Sequence, residues 1–168
     1  MFRLNAVSQR RPSRSLSMFV ILLATRLERS GEHARRMLKL TLTILPQKYA
    51  VCRLDPNGPI PYWALLGDDF ISLTRTHVEL SVACVQENVP ADVKASRGWR
   101  CAKVEGAFDL SLPGVHVSLA IPLAQAGISI LSIATYETDH LLIREEDLER
   151  SIKVLEEAGH HFASAENA

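Results

Sequence analysis

Sliding the sequence sixty residues against itself pairs Ile71 with Leu131, Ser72 with Ser132, Leu73 with Ile133 and Glu79 with Asp139 without a gap. A repeated unit constrains a chain more than any single element, because both copies must build the same order of elements and cover each other's apolar surface. The same shift lays the turn-forming stretch from Asp55 to Gly58 just past Leu112-Pro113-Gly114, and sets Trp99-Arg100-Cys101 over Gly159-His160-His161. Both halves read strand, helix, hairpin, helix, strand. The expected fold is α+β: two tandem βαββαβ units packed together, residues 37–98 and 99–162, each an antiparallel sheet with helices on one face.

The elements follow from local periodicity. Leu38-Lys39-Leu40-Thr41-Leu42-Thr43-Ile44 alternates strictly and places four aliphatic side chains on one face of a strand. A turn is expected at Pro46-Gln47-Lys48, with a second extended run from Tyr49 to Leu54. Pro61 to Leu66 reads as a short helix stopped by Gly67. Phe70 to Thr76 and Glu79 to Val85 read as a hairpin. Pro90 opens another short helix closed by Gly98, and Trp99 to Val104 resumes the strand period. Val115, Leu119, Leu123 and Ala126 form the stripe of a helix ending at Gly127, bent by Pro122 because that residue has no N–H for the ladder. Ile128 to Thr135 and His140 to Ile143 pair as strands around a turn at Tyr136 to Asp139. Leu148, Ile152 and Leu155 mark the last helix, its first turn acidic at Glu145-Glu146-Asp147 and its end at Gly159. A short strand at His160-His161-Phe162 closes the unit, and residues 163–168 are a tail.

Charge separates the first 36 residues from the rest. They hold eight Arg and two Glu, net +6, whereas the whole chain carries 19 basic and 19 acidic side chains. This basic leader is expected to be a disordered or upstream segment outside the fold. Its longest apolar run, Met18 to Ala24, is far short of the roughly 20 residues that cross a membrane. The overall balance disfavours a nucleic-acid binder, and Trp63, Trp99 and the three Tyr are too scattered for a base-stacking platform. Cys52, Cys84 and Cys101 are odd in number, widely spaced and without a C-x-x-C pair, which speaks against a disulfide framework or zinc knuckle and suits a reducing, cytoplasmic setting. There is no G-x-G, no G-K-S or G-K-T, no G-x-S-x-G and no H-E-x-x-H. No cofactor, metal or catalytic centre is expected. Cys84 beside His77 reads as core packing in an apolar strand, not as an activated thiolate.

One constellation has the makings of a ligand site. Pro113-Gly114-Val115 at a helix start offers unpaired backbone N–H groups at the positive end of the dipole, where a carboxylate binds, and Gly114 permits close approach. Thr135-Tyr136-Glu137-Thr138-Asp139 at a strand end offers hydroxyls, an aromatic wall and a carboxylate that complements an ammonium group. Taken alone, the same residues read more readily as a helix cap and a plain strand turn.

The stretch from Phe70 through Arg75-Thr76 and Glu79 to Cys84, with Gly98-Trp99, Gly106, Leu112-Pro113-Gly114-Val115, Pro122-Leu123-Ala124, Ala126-Gly127-Ile128-Ser129 and Thr135 to Asp139, resembles the CASTOR-type ACT domain family over about residues 37–160. The resemblance implies two tandem ferredoxin-like ACT units, similar to one half of the eukaryotic cytosolic arginine sensor, that bind an amino acid and regulate something else without catalysis. It implies ligand contacts at Pro113, Gly114, Val115, Ile128, Thr135, Tyr136, Thr138 and Asp139. It also implies a homodimer that rebuilds the four-unit arrangement, and an unidentified protein partner. Leu112 departs from the pattern: the sensor carries an acid there that pairs with a guanidinium, so a smaller or more apolar amino acid fits better than arginine. A module that oligomerises or binds proteins without a ligand is the alternative.

Overall fold

The computed structural model describes residues 38–107 and 112–163. The expectations for the leader over 1–36, and for the tail beyond residue 163, lie outside the described residues. Among the described residues, seven strands and two α-helices follow in the order β1 (Thr41–Leu54), β2 (Ser72–Arg75), β3 (Leu80–Val85), β4 (Ala95–Val104), α1 (Val115–Gln125), β5 (Ile130–Ala134), β6 (Asp139–Arg144), α2 (Leu148–Glu157) and β7 (His161–Ala163). Single turns of 3₁₀ helix stand at Tyr62–Leu65, Gln86–Asn88 and Glu145–Asp147. The α+β class expected from the sequence is therefore the one observed.

All seven strands share one sheet, in the order β2-β3-β1-β4-β6-β5, with β7 running parallel to β1 at Thr41 to Thr43. The first residues of β1 pair with β7 and the last with β3, while β4 lines its other side. The elements β4-α1-β5-β6-α2-β7 follow the βαββαβ order. Those from β1 to β4 follow it with one-turn 3₁₀ helices in the helix positions. Residues 98 and 99, where the sequence reading divides the chain, lie side by side inside β4.

Three local expectations need correction. No turn forms at Pro46-Gln47-Lys48: β1 runs on through it, and five residues of β1, from Ile44 to Lys48, face three of β4, from Ala102 to Arg100. Pro46 has no N–H to give the ladder, and the strand accommodates this by bulging. No helix runs from Pro90 to Gly98, because β4 has already begun at Ala95. The Arg97 guanidinium donates to the carbonyls of Gln86, Val89 and Pro90, alongside single-turn bonds from the Val89 N–H to Gln86 and from the Val93 N–H to Pro90. The segment expected as a helix from Pro61 to Leu66 is a single 3₁₀ turn, too short to bury a stripe.

Alternation along the strands divides the core between two faces. Leu40, Leu42, Ala102, Val104, Leu141 and Ile143 meet Val115, Leu119 and Leu123 of α1 and Leu155 of α2. On the same side, Ala50, Cys52, Leu80, Val82 and Cys84 lie with Ala64 of the first 3₁₀ turn. The helix-free face holds Tyr49, Ala83, Trp99, Cys101 and Leu142, with Phe70 packed against them. All three cysteines are buried and free. The contact with Cys52, together with burial, pushes the Cys84 thiol far above its ordinary range.

His160 closes the helical layer. Its Nδ1 accepts the N–H of Leu40 at 3.2 Å, so the neutral ring carries its proton on Nε2, which donates to the Ser118 carbonyl at 3.1 Å. Ser118 is four residues before Pro122, and its carbonyl is the one that proline leaves without a ladder partner. The imidazole supplies the missing donor, and α1 continues past Pro122 to Gln125. Burial lowers the pKa of His160, against the opposing pull of the Ser118 carbonyl.

His160→Ala strands a buried N–H and a buried carbonyl, and urea unfolding is expected to show a loss of about 3 kcal/mol. Because the folded pKa lies below the ordinary 6.5, stability is complete above pH 6.5 and declines as pH falls, since the unfolded chain takes up the proton first. Buried His140 acts with the same sign. Urea midpoints compared at pH 8 and pH 5 should show this decline in the native protein and a shallower one in His160→Ala.

Candidate functional site

Of the residues singled out in the sequence, Pro113 to Val115 and Thr135 to Asp139 gather toward one end of the sheet because of its topology, whereas Ile128 lies at the other end, beyond the C-terminus of α1. β4 ends at Val104, and its neighbour β6 begins at Asp139, with Lys103 opposite His140. The turn between β5 and β6 therefore stands beside the exit of the loop that leads into α1. Thr138 joins the two directly, its hydroxyl donating to the Val104 carbonyl. The next residue, Glu105, is held by its N–H on the Thr41 carbonyl at 2.8 Å. The helix α1 then runs toward the opposite end, where Ile130 pairs with Ile143, so its N-terminus faces the Thr135–Asp139 end. A contact between Ser132 Oγ and His116 Nδ1, 2.9 Å, ties α1 to β5.

Gly114 is the N-cap of α1 with φ 96°, in the left-handed region that glycine enters without strain. Its carbonyl accepts the Ser118 N–H, and among the described residues no side chain caps this end of the helix. The first N–H groups of the helix are thus without an internal partner. Pro113 is exposed, and Val115 turns inward to the core.

The turn itself uses its own hydroxyls. Thr135 donates through both its N–H and its Oγ to the Thr138 carbonyl, each at 2.8 Å, and accepts the Thr138 N–H on Oγ at 3.2 Å. Tyr136 projects from the tip, 82% exposed. Asp139 is half-buried opposite Ala134. Ile128 lies in the core with Leu123 and Leu155, and its N–H donates to the Leu123 carbonyl. Among the described residues, the groups left available are the helix N–H groups at Gly114 and Val115, the Asp139 carboxylate and the Tyr136 ring. An anion fits the first, a cation the second, and an apolar surface the third, which is the complement of a zwitterion with a modest side chain.

Sequence reasoning missed the two groups that hold this arrangement, His116 against Ser132 and the Thr138 bond to Val104. Both join positions far apart in sequence, and no spacing signals them. Among the described residues no group of three or more His, Cys, Asp or Glu is placed to hold a metal ion, and no helix is long and apolar enough to cross a membrane.

A family model described as an ACT domain matches residues 94–157, and a model for an N-terminal domain matches residues 47–92. None of the curated proteins matches the sequence. Among solved structures, protein Atu0741 from Agobacterium tumefaciens is similar at 39% identity and a TM-score of 0.71, over 75% of this chain and 93% of that one. VC0802 from Vibrio cholerae is similar at 22% identity and 0.60, over 72% and 91%. The ligand-free regulatory subunit of aspartate kinase from Thermus thermophilus, at 14% identity and 0.52 over 70% and 96%, shares the fold.

Two substitutions test how the site is held. Gly114→Ala meets open space around its new Cβ, so only the left-handed backbone is penalised, and urea unfolding should register a loss of about 1–2 kcal/mol. Thr138→Val removes the bond to Val104 and should cost about 1 kcal/mol in the same measurement, with hydrogen exchange quickening first in the β5–β6 turn.

Proposed function

The chain belongs to the same family as Atu0741 and carries an ACT domain over residues 94–157, and on that premise we propose that it is a tandem ACT regulatory protein of CASTOR type that binds an amino acid. The observation that carries the reading is the uncapped N-terminus of α1 at Gly114, set toward the same end of the sheet as Asp139. The helix N–H groups at Gly114 and Val115 take the α-carboxylate and Asp139 takes the α-ammonium. Leu112, 40% exposed at the helix entry, supplies no charge for a guanidinium, which favours a small or apolar side chain over arginine. The tandem arrangement draws support from positive-φ glycines sixty residues apart, Gly67 at φ 84° and Gly127 at φ 70°, which precede β2 and β5.

The protein acts by binding and not by catalysis, in the cytoplasm, as a homodimer. A second copy over the exposed Tyr136 completes the wall that one chain leaves open. An unidentified protein partner reads the bound state. A module without a ligand has one observation in its favour: the Thr135 and Thr138 hydroxyls already serve the fold.

A thermal-shift screen of the protein against the twenty amino acids at millimolar concentration separates the two. Ligand at one hundred times Kd stabilises by about 2.7 kcal/mol, a rise of several degrees. One amino acid or a narrow class is expected to raise Tm, and Asp139→Ala to remove the rise while leaving the unliganded Tm unchanged. No shift with any of the twenty, in a protein that melts cooperatively, refutes amino-acid sensing in favour of the interaction module.

A further inference from the structure

Asn57-Gly58 is the one Asn-Gly pair in the sequence, and it lies in the turn that follows β1 with Asn57 exposed. The pair matters chemically, because glycine has no side chain to shield its own backbone nitrogen from the neighbouring asparagine amide. The Gly58 N–H donates to the Asp55 carbonyl at 3.2 Å and closes a four-residue turn over Asp55-Pro56-Asn57-Gly58. Among the described residues no residue other than glycine has a positive φ, so Asn57 in the third position makes this a type I turn, in which that residue holds a ψ of roughly 0°. The Asp55 side chain supports the same shape, its Oδ1 accepting the Asn57 N–H at 2.8 Å.

A neighbouring strand holds the turn from outside. Arg75, the last residue of β2, donates from Nη1 to the Pro56 carbonyl and from Nη2, at 2.9 Å, to the Gly58 carbonyl. These acceptors stand on either side of Asn57. One planar guanidinium therefore fixes the backbone before and after the asparagine.

From these features we propose that Asn57 is a site of spontaneous deamidation and that the Arg75 clamp sets its rate. The Gly58 backbone nitrogen, once it has lost its proton, attacks Cγ of Asn57. An N–Cγ bond forms, the Cγ–Nδ2 bond breaks, and its electron pair leaves with the nitrogen, which takes up a proton and departs as ammonia. Water then adds to one of the two carbonyls of the resulting succinimide and opens it to aspartate or isoaspartate, without oxidant, reductant or enzyme. The closed turn has the wrong shape for the first step. At a ψ of roughly 0° the Gly58 nitrogen is rotated away from the Asn57 side chain, and its N–H is already given to Asp55. Opening the turn means breaking that bond together with both bonds from Arg75. Isoaspartate adds a methylene to the backbone between the Pro56 and Gly58 carbonyls, so a single guanidinium no longer spans the two. The modification thus releases Arg75 and leaves β2 without this anchor. The site is separate from the one at Gly114 and Asp139, and its test does not depend on amino-acid binding.

The full-length protein is incubated for several weeks at physiological temperature and mildly alkaline pH, and peptides spanning residue 57 are followed by mass spectrometry. Isoaspartate is identified by methyl uptake from an isoaspartyl methyltransferase. Asn57 is expected to convert in the folded protein, mainly to isoaspartate, and more slowly than in the same protein unfolded in urea. Arg75→Ala should speed conversion of the folded protein by about tenfold, since both clamping bonds are lost. Arg75→Lys, with a single donor group for two carbonyls, should fall between, and it is the variant to read if Arg75→Ala does not melt cooperatively. Gly58→Ala places its Cβ in ordinary contact with the Asp55 carbonyl at 3.4 Å, so the fold is kept while conversion is suppressed. Hydrogen exchange in the aged protein should quicken at residues 72–75 in step with the isoaspartate content. The proposal is overturned if Asn57 stays intact in the folded protein while the unfolded chain converts, or if folded and unfolded chains convert equally fast. It is equally overturned if the folded Arg75 variants convert at the native rate, or if Gly58→Ala converts as fast as the native chain.

Discussion

The antiparallel pairing of β1 with β4 is the contact on which the rest of the molecule depends. These are the two longest strands, and each runs through both halves of the sheet, so neither half has a complete core without them. β3 and β2 extend the sheet from the second part of β1, β6 and β5 extend it from β4, and β7 takes the place left along the first part of β1. The two halves thus share strands where independent domains would share only a surface. A perturbation of the pairing at Ile44 to Lys48 reaches both.

His160 performs the comparable task for the helices. Proline in a helix removes one bond and leaves a carbonyl that water cannot reach once the helix is buried. Here an imidazole from the turn after α2 fills that vacancy and at the same time accepts from Leu40 just before β1. One neutral side chain therefore locks α1 and the end of α2 to the start of the central strand. It places the N-terminus of α1 with respect to the sheet, and that placement sets Gly114 toward the end where Asp139 begins β6.

Much of the fold was legible in the residues. Strict alternation from Leu38 to Ile44, the hairpin around His77, the stripe Val115, Leu119 and Leu123, and the glycines after α1 and α2 all correspond to observed elements, because each depends on neighbours within a few positions. The failures share one cause. Pro46 reads locally as a turn, but β1 pairs with β4 on either side of it and passes through it as a bulge. Pro90 to Gly98 reads as a helix, but Arg97 satisfies the loop carbonyls and lets β4 start early. In the candidate site, the glycine at the helix start and the acid at the strand end were visible, whereas the use of Thr135 and Thr138 by the turn and of Ile128 by the core was not.

By itself the sequence determined the α+β class, the order of the elements, the face that each strand and helix buries and the residue types available at one end of the sheet, since periodicity and turn chemistry are local properties of a chain. Only the tertiary structure decided that one strand runs through Pro46, that an imidazole repairs Pro122, and that hydroxyls are consumed where a ligand was expected to find them. Those outcomes turn on which distant backbone groups find partners, and hydrogen-bond partners 42 to 120 residues apart, as for His160 with Ser118 and Leu40, leave no spacing for a sequence to show.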